Sequence, residues 1–292
     1  MSQLTTPQTE PVELCVERSR AVGLLAAAGR FPIAVAEKAR SLGRPMVCVA
    51  IRGMASPELE LLVHRCYWAG IAQVGRMIRY FRREGVREWM MAGKVEKSRY
   101  MNRRASRWLY LPDWRTFRMW YSRLHDKRDD SILAAVVAEF EADGLHCRSA
   151  LDLCPELLVN RGVLTSRQPT AAEWKDIEFG WDLAKEMGRL DVGQTVAVRE
   201  QAVLAVEAIE GTDRAIARAG ELCARGGFTV VKVAKPQQDM RFDVPTVGMT
   251  TVESLRQAGA RVLAIEADKT ILLDAAETVA LADRYGLSIV AR

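Results

Sequence analysis

Two stretches of this 292-residue chain carry more polar chemistry than a plain core needs. The first is Ala205-Val206-Glu207-Ala208-Ile209-Glu210-Gly211-Thr212-Asp213. Val203–Ile209 reads as a strand holding Glu207, with Glu210 at its end, and Gly211-Thr212 marks a turn. Asp213 begins a helix with Thr212 as candidate N-cap. A carboxylate beside free helix-start amides can hold a divalent cation and a phosphate together. Magnesium takes one or two carboxylates plus phosphate oxygens, so no four-ligand motif is required. The bland alternative is that Asp213 only favours the helix dipole, worth about 0.3–1 kcal/mol. Spacing leaves both readings open.

The second stretch runs from Lys232 to Thr246, KVAKPQQDMRFDVPT. Lys232 and Lys235 flank the end of a strand, and the following loop carries Gln238, Asp239, Arg241 and Asp243. In open α/β sheets ligands sit beyond the carboxyl ends of strands. A Lys and an Arg beside two carboxylates suit charge neutralisation during phosphoryl transfer. A surface loop held by its own Asp–Arg pairs explains the same residues. A third place is the loop Ala26-Ala27-Ala28-Gly29-Arg30-Phe31-Pro32, between an apolar run and a helix. Amides at such a helix start point at phosphate. The loop is not GxGxxG, however, and alanines limit the approach of a pyrophosphate.

The elements that position these residues read as two α/β domains. Residues 1–20 form an expected mobile tail. Residues 21–154 form a Rossmann-like first domain, with apolar runs at Val22–Ala26 and Met46–Ile51 and a strand at Val86–Ala92. A helical stripe covers Gly70–Glu84, and Asp130 can cap a helix carrying Ile132, Leu133, Val136, Val137 and Phe140. Strands alternating with helices predict a parallel sheet covered on both faces. Residues 155–170 hold two prolines and little periodicity, which predicts a linker. Thr170 and Glu173 then form a capping-box pattern ahead of a helix. Residues 171–292 alternate strands and helices as a second α/β domain.

Composition narrows the class. With 49% hydrophobic and 27% charged residues, the chain is globular rather than disordered, collagenous or coiled-coil. No apolar run reaches the roughly 18–20 residues of a membrane span, and the first twenty residues lack a secretory pattern. Six cysteines without a CxxC pair and three histidines argue against a zinc site or a disulfide framework, and for a reducing cytosol. Net charge is +5, but residues 76–128 hold sixteen Lys/Arg against five Asp/Glu. Aromatics are interleaved there, from Tyr80 and Phe81 through Trp89, Tyr100, Trp108 and Tyr110 to Trp114, Phe117, Trp120 and Tyr121. That mixture fits nucleic acid, anionic lipid or a phosphorylated ligand. A solvated basic face with inward aromatics is the alternative.

The segments Asp176-Ile177 through Gln194, AVEAIEGTD (205–213) and KPQQDMRFDVPTVG (235–248), in this order, resemble the LpxI-type UDP-2,3-diacylglucosamine pyrophosphatases of lipid A biosynthesis. The likeness extends over nearly the whole chain after residue 20, including Gly29, Pro32, Gly93-Lys94-Val95 and Asp129-Asp130. It implies magnesium-dependent hydrolysis of a UDP-diacylglucosamine to UMP and diacylglucosamine 1-phosphate. It also implies an active site in a cleft between the two domains, and a homodimer. Asp213 matches the family's essential acid, as metal ligand or as the group orienting water. Lys235, Gln238, Asp239 and Arg241 become phosphate clamps and their partners. Gly29, Pro32, Lys94, Asp129, Asp130, Gln194, Thr212 and Thr246 are the further substrate-binding positions it suggests. Ala26-Ala27-Ala28, Arg128 and Glu96-Lys97-Ser98 depart from the family pattern, all in the first domain.

A membrane-borne substrate with an anionic head fits the basic aromatic stretch, so residues 99–123 are expected to dock on the inner-membrane surface, with the protein otherwise cytoplasmic. Two other classes are less well served. A nicotinamide oxidoreductase needs a ribose-binding acid where Ile51-Arg52-Gly53 stands. A nucleic-acid-binding module leaves AVEAIEGTD and KPQQDMRFD unexplained, so no nucleic acid partner is expected.

Overall fold

The structure is a computed structural model; it describes residues 21–95, 111–122 and 129–292, the last span without the side chains of Asp129 and Asp130. The chain divides into two compact units after Cys154.

In the first unit, β1 (Val22–Ala26) and β2 (Met46–Ile51) are apolar almost throughout, as strands covered on both faces must be. Between them α1 (Phe31–Ser41) starts with Pro32 in its first turn, where a missing N–H costs nothing. The short α2 (Leu59–Leu62), β3 (Arg65–Ala69), α3 (Val74–Arg83) and β4 (Glu88–Ala92) follow, then α4 (Trp114–Ser122), α5 (Asp129–Glu141) and β5 (His146–Cys147). The sheet is parallel in the order β3-β2-β1-β4-β5, so the switch point falls between β1 and β4. Asp130 lies inside α5 rather than capping it.

The aromatics of the basic stretch separate here. Phe81 and Trp89 are fully buried; Trp89 stacks on Phe140 at 4.0 Å, and Phe81 meets both rings. Those on α4 point outward. Tyr100, Trp108 and Tyr110 lie outside the described residues.

The second unit contains β6 (Gly162–Val163), α6 (Ala171–Arg189), β7 (Thr195–Arg199), β8 (Ala202–Val206), α7 (Thr212–Leu222) and β9 (Phe228–Lys232). After these come β10 (Thr246–Val247), α8 (Met249–Ala258), β11 (Ala260–Ile265), β12 (Ile271–Leu272), α9 (Ala275–Arg284) and β13 (Ser288–Ala291). Thr170 and Glu173 form the expected capping box of α6. Six strands form a mixed sheet, β6-β13-β11-β9-β7-β8, with β9, β11 and β13 parallel and β7 running against β9. One face packs on α6 through Ile177, Ala184, Val231 and Val262. The other packs on α7, α8 and α9 through Phe228, Val230, Ile216, Leu255 and Ala282.

Two local readings need correction. Residues 155–170 are not a bare linker. Gly162–Val163 pairs with β13, and Ser166 binds Asp283 through its backbone N–H at 2.7 Å and its hydroxyl at 3.1 Å. A two-residue edge strand has no periodicity to read; it is fixed by a partner more than a hundred residues away. β8 ends at Val206, so Glu207 follows the strand and Glu210 sits in the turn. Asp176, buried on α6, accepts the N–H groups of Glu200 and Gln201 at 3.1 and 2.7 Å. Both residues adopt positive φ, and this carboxylate holds the tight β7–β8 turn that Asp176 faces.

Candidate functional site

The antiparallel insertion of β7 gathers chemistry at one edge of the second sheet. Thr195, at the start of β7, stands opposite Lys232 at the end of β9, and the N–H of Glu207, just past β8, donates to the Thr195 carbonyl at 2.8 Å. Gly193 has to be glycine for this approach, since a Cβ there would lie 2.1 Å from the Glu207 carbonyl oxygen. Gly211, with φ of +84°, is the N-cap of α7. The expectation of Thr212 in that role is therefore corrected. Thr212 is the first helical residue, and its hydroxyl is turned inward to the sheet edge instead of back onto the helix amides.

That hydroxyl donates to Glu207 Oε1 at 2.9 Å and accepts from Lys232 Nζ at 3.0 Å. Glu207 and Lys232 are only 8% and 7% exposed. Glu207 Oε2 and Thr195 Oγ1 are buried with no hydrogen-bond partner among the described residues, as is Gln194 Oε1. Asp213, one residue on, is exposed, and its carboxylate takes the Ser254 hydroxyl of α8 at 3.3 Å. Glu210 accepts from Ala208 N at 3.2 Å and Arg218 Nη2 at 2.6 Å. Backbone N–H groups, its own first, and then Arg218 hold its carboxyl below the usual range.

The loop after β9 is built from internal pairs. Lys235 Nζ donates to Asp191 Oδ1 at 2.7 Å, and Lys235 N donates to Gln238 Oε1 at 2.8 Å. Gln238 Nε2 reaches Asp243 Oδ2 at 2.7 Å. Arg241 forms a two-pronged pair with Asp239, at 3.0 and 2.8 Å, which holds the Asp239 carboxyl below its ordinary value. Thr246 sits on β10 and donates to the Val244 carbonyl at 3.1 Å. Gln194 contributes its carbonyl to Val233 N at 3.0 Å. The structure thus joins Lys235 to Gln238 and Asp239 to Arg241, and sets Asp213 beside Ser254.

Several residues at this edge escaped the sequence reading. Glu266, after β11, accepts from Ala234 N at 2.9 Å and pairs with Lys185 and Lys269. Burial works against its charge, but the two ammonium groups and the Ala234 N–H prevail, and its carboxyl titrates below the ordinary 4.5. Lys185 also donates to the Ala234 carbonyl at 3.0 Å. Lys185 and Asp191 lie in the 176–194 segment that carries the resemblance but were not singled out within it, and Glu266 carried no motif.

At the first unit's switch point, Ala28 and Lys94 exchange both backbone hydrogen bonds, at 3.1 and 2.8 Å. Gly93 has φ of +104°, and a Cβ there would fall within 2.9 Å of Ala27, Ala28 and Pro32. Gly29, at φ of +102°, has open space beside it. Gly29, Pro32 and Lys94 are therefore brought together, at the start of an α1 with no side-chain cap. Asp129 and Asp130 open α5, and their side chains lie outside the described residues.

Elsewhere in this unit α4 is anchored on one side and bare on the other. Asp113 Oδ1 accepts from Thr116 N at 2.9 Å, Asp113 Oδ2 accepts from Arg76 N at 3.0 Å, and Thr116 Oγ1 accepts from Val74 N at 3.0 Å. Arg115 pairs with Glu139 at 2.6 Å and with Asp143. The outer side presents Trp114 and Tyr121, 77% and 75% exposed, with Phe117 between them, stacked on Trp114 and tilted against Tyr121, and with Trp120 half-exposed. Residues 99–110 and 123 of the expected docking region lie outside the described residues.

Taken together, the two α/β units define a two-part protein with polar carboxyl edges. The model of the LpxI N-terminal domain matches residues 21–157, and that of the LpxI C-terminal domain matches residues 160–290. The chain belongs to the LpxI family. It is 31% identical over 280 residues to the UDP-2,3-diacylglucosamine pyrophosphatase LpxI of Caulobacter vibrioides, covering 93% of this chain and 97% of that protein. A shorter similarity, 36% over 115 residues, links it to the bifunctional purine biosynthesis protein PurH of Deinococcus radiodurans, over 38% of this chain and 20% of that one.

Proposed function

We propose that this chain hydrolyses the pyrophosphate of UDP-2,3-diacylglucosamine, giving UMP and 2,3-diacylglucosamine 1-phosphate in the lipid A pathway. The observation that carries this reading is the near full-length likeness to a relative of that name, running through both units. The second unit's carboxyl edge supplies the chemistry. Asp213, exposed in the first turn of α7, orients water or holds a cation, and the neighbouring helix-start amides favour a phosphate. Arg241, at an exposed loop, exchanges its Asp239 partner for a phosphate oxygen. Lys235 and Gln238 keep that loop in place. Gly29, Pro32 and Lys94 offer main chain to the nucleotide part.

Magnesium belongs to the same proposal. Among the described residues no cluster of three or more His, Cys, Asp or Glu side chains forms. A single solvent-facing carboxylate such as Asp213, completed by phosphate oxygens and water, is nevertheless a donor set this ion accepts. When bound it neutralises charge on the diphosphate. The same reading has the protein working as a homodimer on the cytoplasmic face of the inner membrane, with the aromatic side of α4 against the lipid interface. No helix among the described residues is long and apolar enough to cross a membrane. The test is product analysis by mass spectrometry with the purified full chain, magnesium and UDP-2,3-diacylglucosamine. UMP with diacylglucosamine 1-phosphate is expected; UDP, or no nucleotide at all, overturns the reading.

A further inference from the structure

We infer that Lys185 and Glu266 are a positioning pair for the loop 235–243: they grip Ala234, the residue before it, and so set where Lys235, Gln238 and Arg241 stand. The inference rests on the proposed function, in which that loop meets the diphosphate, and it deepens that reading by naming what holds the loop.

The hold falls where strand gives way to loop. β9 ends at Lys232, and Ala234 lies beyond its ladder. Ala234 is buried, so its N–H and carbonyl need partners within the protein. Both are supplied by side chains from separate elements. The N–H donates to Glu266 Oε2, past β11, at 2.9 Å, and the carbonyl accepts from Lys185 Nζ, on α6, at 3.0 Å. The same ammonium closes the circuit on Glu266 Oε2. One ion pair thus fixes both main-chain groups of a single residue, through charge-assisted hydrogen bonds that are stronger than neutral ones.

The end of α6 extends the grip into the loop. Gln237 Nε2 donates to the Gly188 carbonyl at 3.0 Å, and Lys235 Nζ reaches Asp191, just past the helix, at 2.7 Å. Gly188 lets the loop lie this close, since a Cβ there would come within 3.3 Å of Lys235 Cα. Lys185, Gly188 and Asp191 follow one another at three-residue spacing, which sets them on one side of the helix end. Docking α6 on the sheet does not need Lys185, because Ile177, Ala184 and Met187 already pack there. What Lys185 adds is a hold on the chain that leaves the sheet. Neither Lys185 nor Glu266 has to touch the diphosphate: they act through the loop residues that do.

Lys269 provides the internal control, because it pairs with the other oxygen of the same carboxylate, Glu266 Oε1, at 3.0 Å. The test measures two things on the full chain: hydrogen exchange by mass spectrometry, and UMP release from UDP-2,3-diacylglucosamine with magnesium. K185M is expected to speed exchange over residues 235–243 and to lower kcat/KM by roughly tenfold or more, since a small displacement of positioning groups is costly. K185R, which keeps the charge and the donors, recovers part of both. K269M removes a charge from Glu266 but leaves Ala234 held, so its loss is smaller and its loop exchange stays close to that of wild type. E266Q keeps an acceptor for Ala234 N while losing the charge that holds Lys185; it gives the K185M pattern in smaller measure and serves should K185M fail to fold. Loop exchange equal to wild type in K185M or E266Q overturns the inference. So does faster exchange spread evenly over α6 and the sheet, or a freed loop with kcat/KM within about twofold of wild type. If wild type releases no UMP while K185M frees the loop alone, the proposed substrate fails and the positioning role stands.

Discussion

The carboxyl edges of the two sheets are built from opposite materials. In the first unit the edge is main chain: Ala28 bonded to Lys94, two glycines at positive φ and an uncapped helix start. In the second it is side chain: a buried Lys–Thr–Glu relay, a Lys–Glu–Lys group around Glu266, and an exposed carboxylate. Main chain offers neutral N–H groups with fixed directions, which suit a nucleotide's outline. Buried and half-buried charge offers a strong local field, which suits a reacting diphosphate. Under the proposed function, recognition would fall to the first unit and bond-breaking to the second.

The comparison can be broken at its stiffest point first. G93A places a Cβ within 2.9 Å of three neighbours at a φ of +104°, costing about 2–4 kcal/mol in strain and overlap together. Hydrogen exchange on the full chain should show lost protection centred on residues 22–28 and 88–94. Unchanged protection there means the main-chain edge is not the rigid element described.

A smaller effect is expected at Glu266. Its folded carboxyl titrates below 4.5, so it adds stability above that value and loses it as pH falls through the lower, folded one. E266Q should cost about 1–2 kcal/mol at neutral pH and flatten the acid limb of a urea-unfolding series below pH 4.5. An acid limb as steep as that of the wild type contradicts the pairing with Lys185 and Lys269.

The least stability change belongs to the exposed face of α4. W114S with Y121S should alter stability by less than about 0.5 kcal/mol, yet cut flotation with anionic vesicles several-fold. Flotation equal to wild type removes α4 from the membrane reading.

Much of the frame was legible because apolar runs bounded by Gly, Pro and capping residues dictate strands and helix starts locally. β1, β2, β9 and the Thr170 capping box are of that kind. What was not legible depends on register. Thr212 meets Lys232 across 20 residues and Lys235 meets Asp191 across 44, and neither pair has a local signature. The inward hydroxyl of Thr212 displaced the expected N-cap because Gly211 could adopt the turn. The aromatics of residues 80–121 looked uniform in sequence, yet Phe81 and Trp89 fill a core while Trp114 and Tyr121 face outward. Which side of an element is covered is decided by its partners.

The most direct check of the division of labour is single-turnover UMP release from UDP-2,3-diacylglucosamine by wild type and D213A, each with magnesium and with chelator. Asp213 at the start of α7 is expected to matter for the chemical step, so D213A should be slower by roughly a hundredfold or more, with the wild type silent in chelator and UMP binding unchanged. D213A releasing UMP within a few-fold of wild type would contradict the assignment of bond-breaking to this edge.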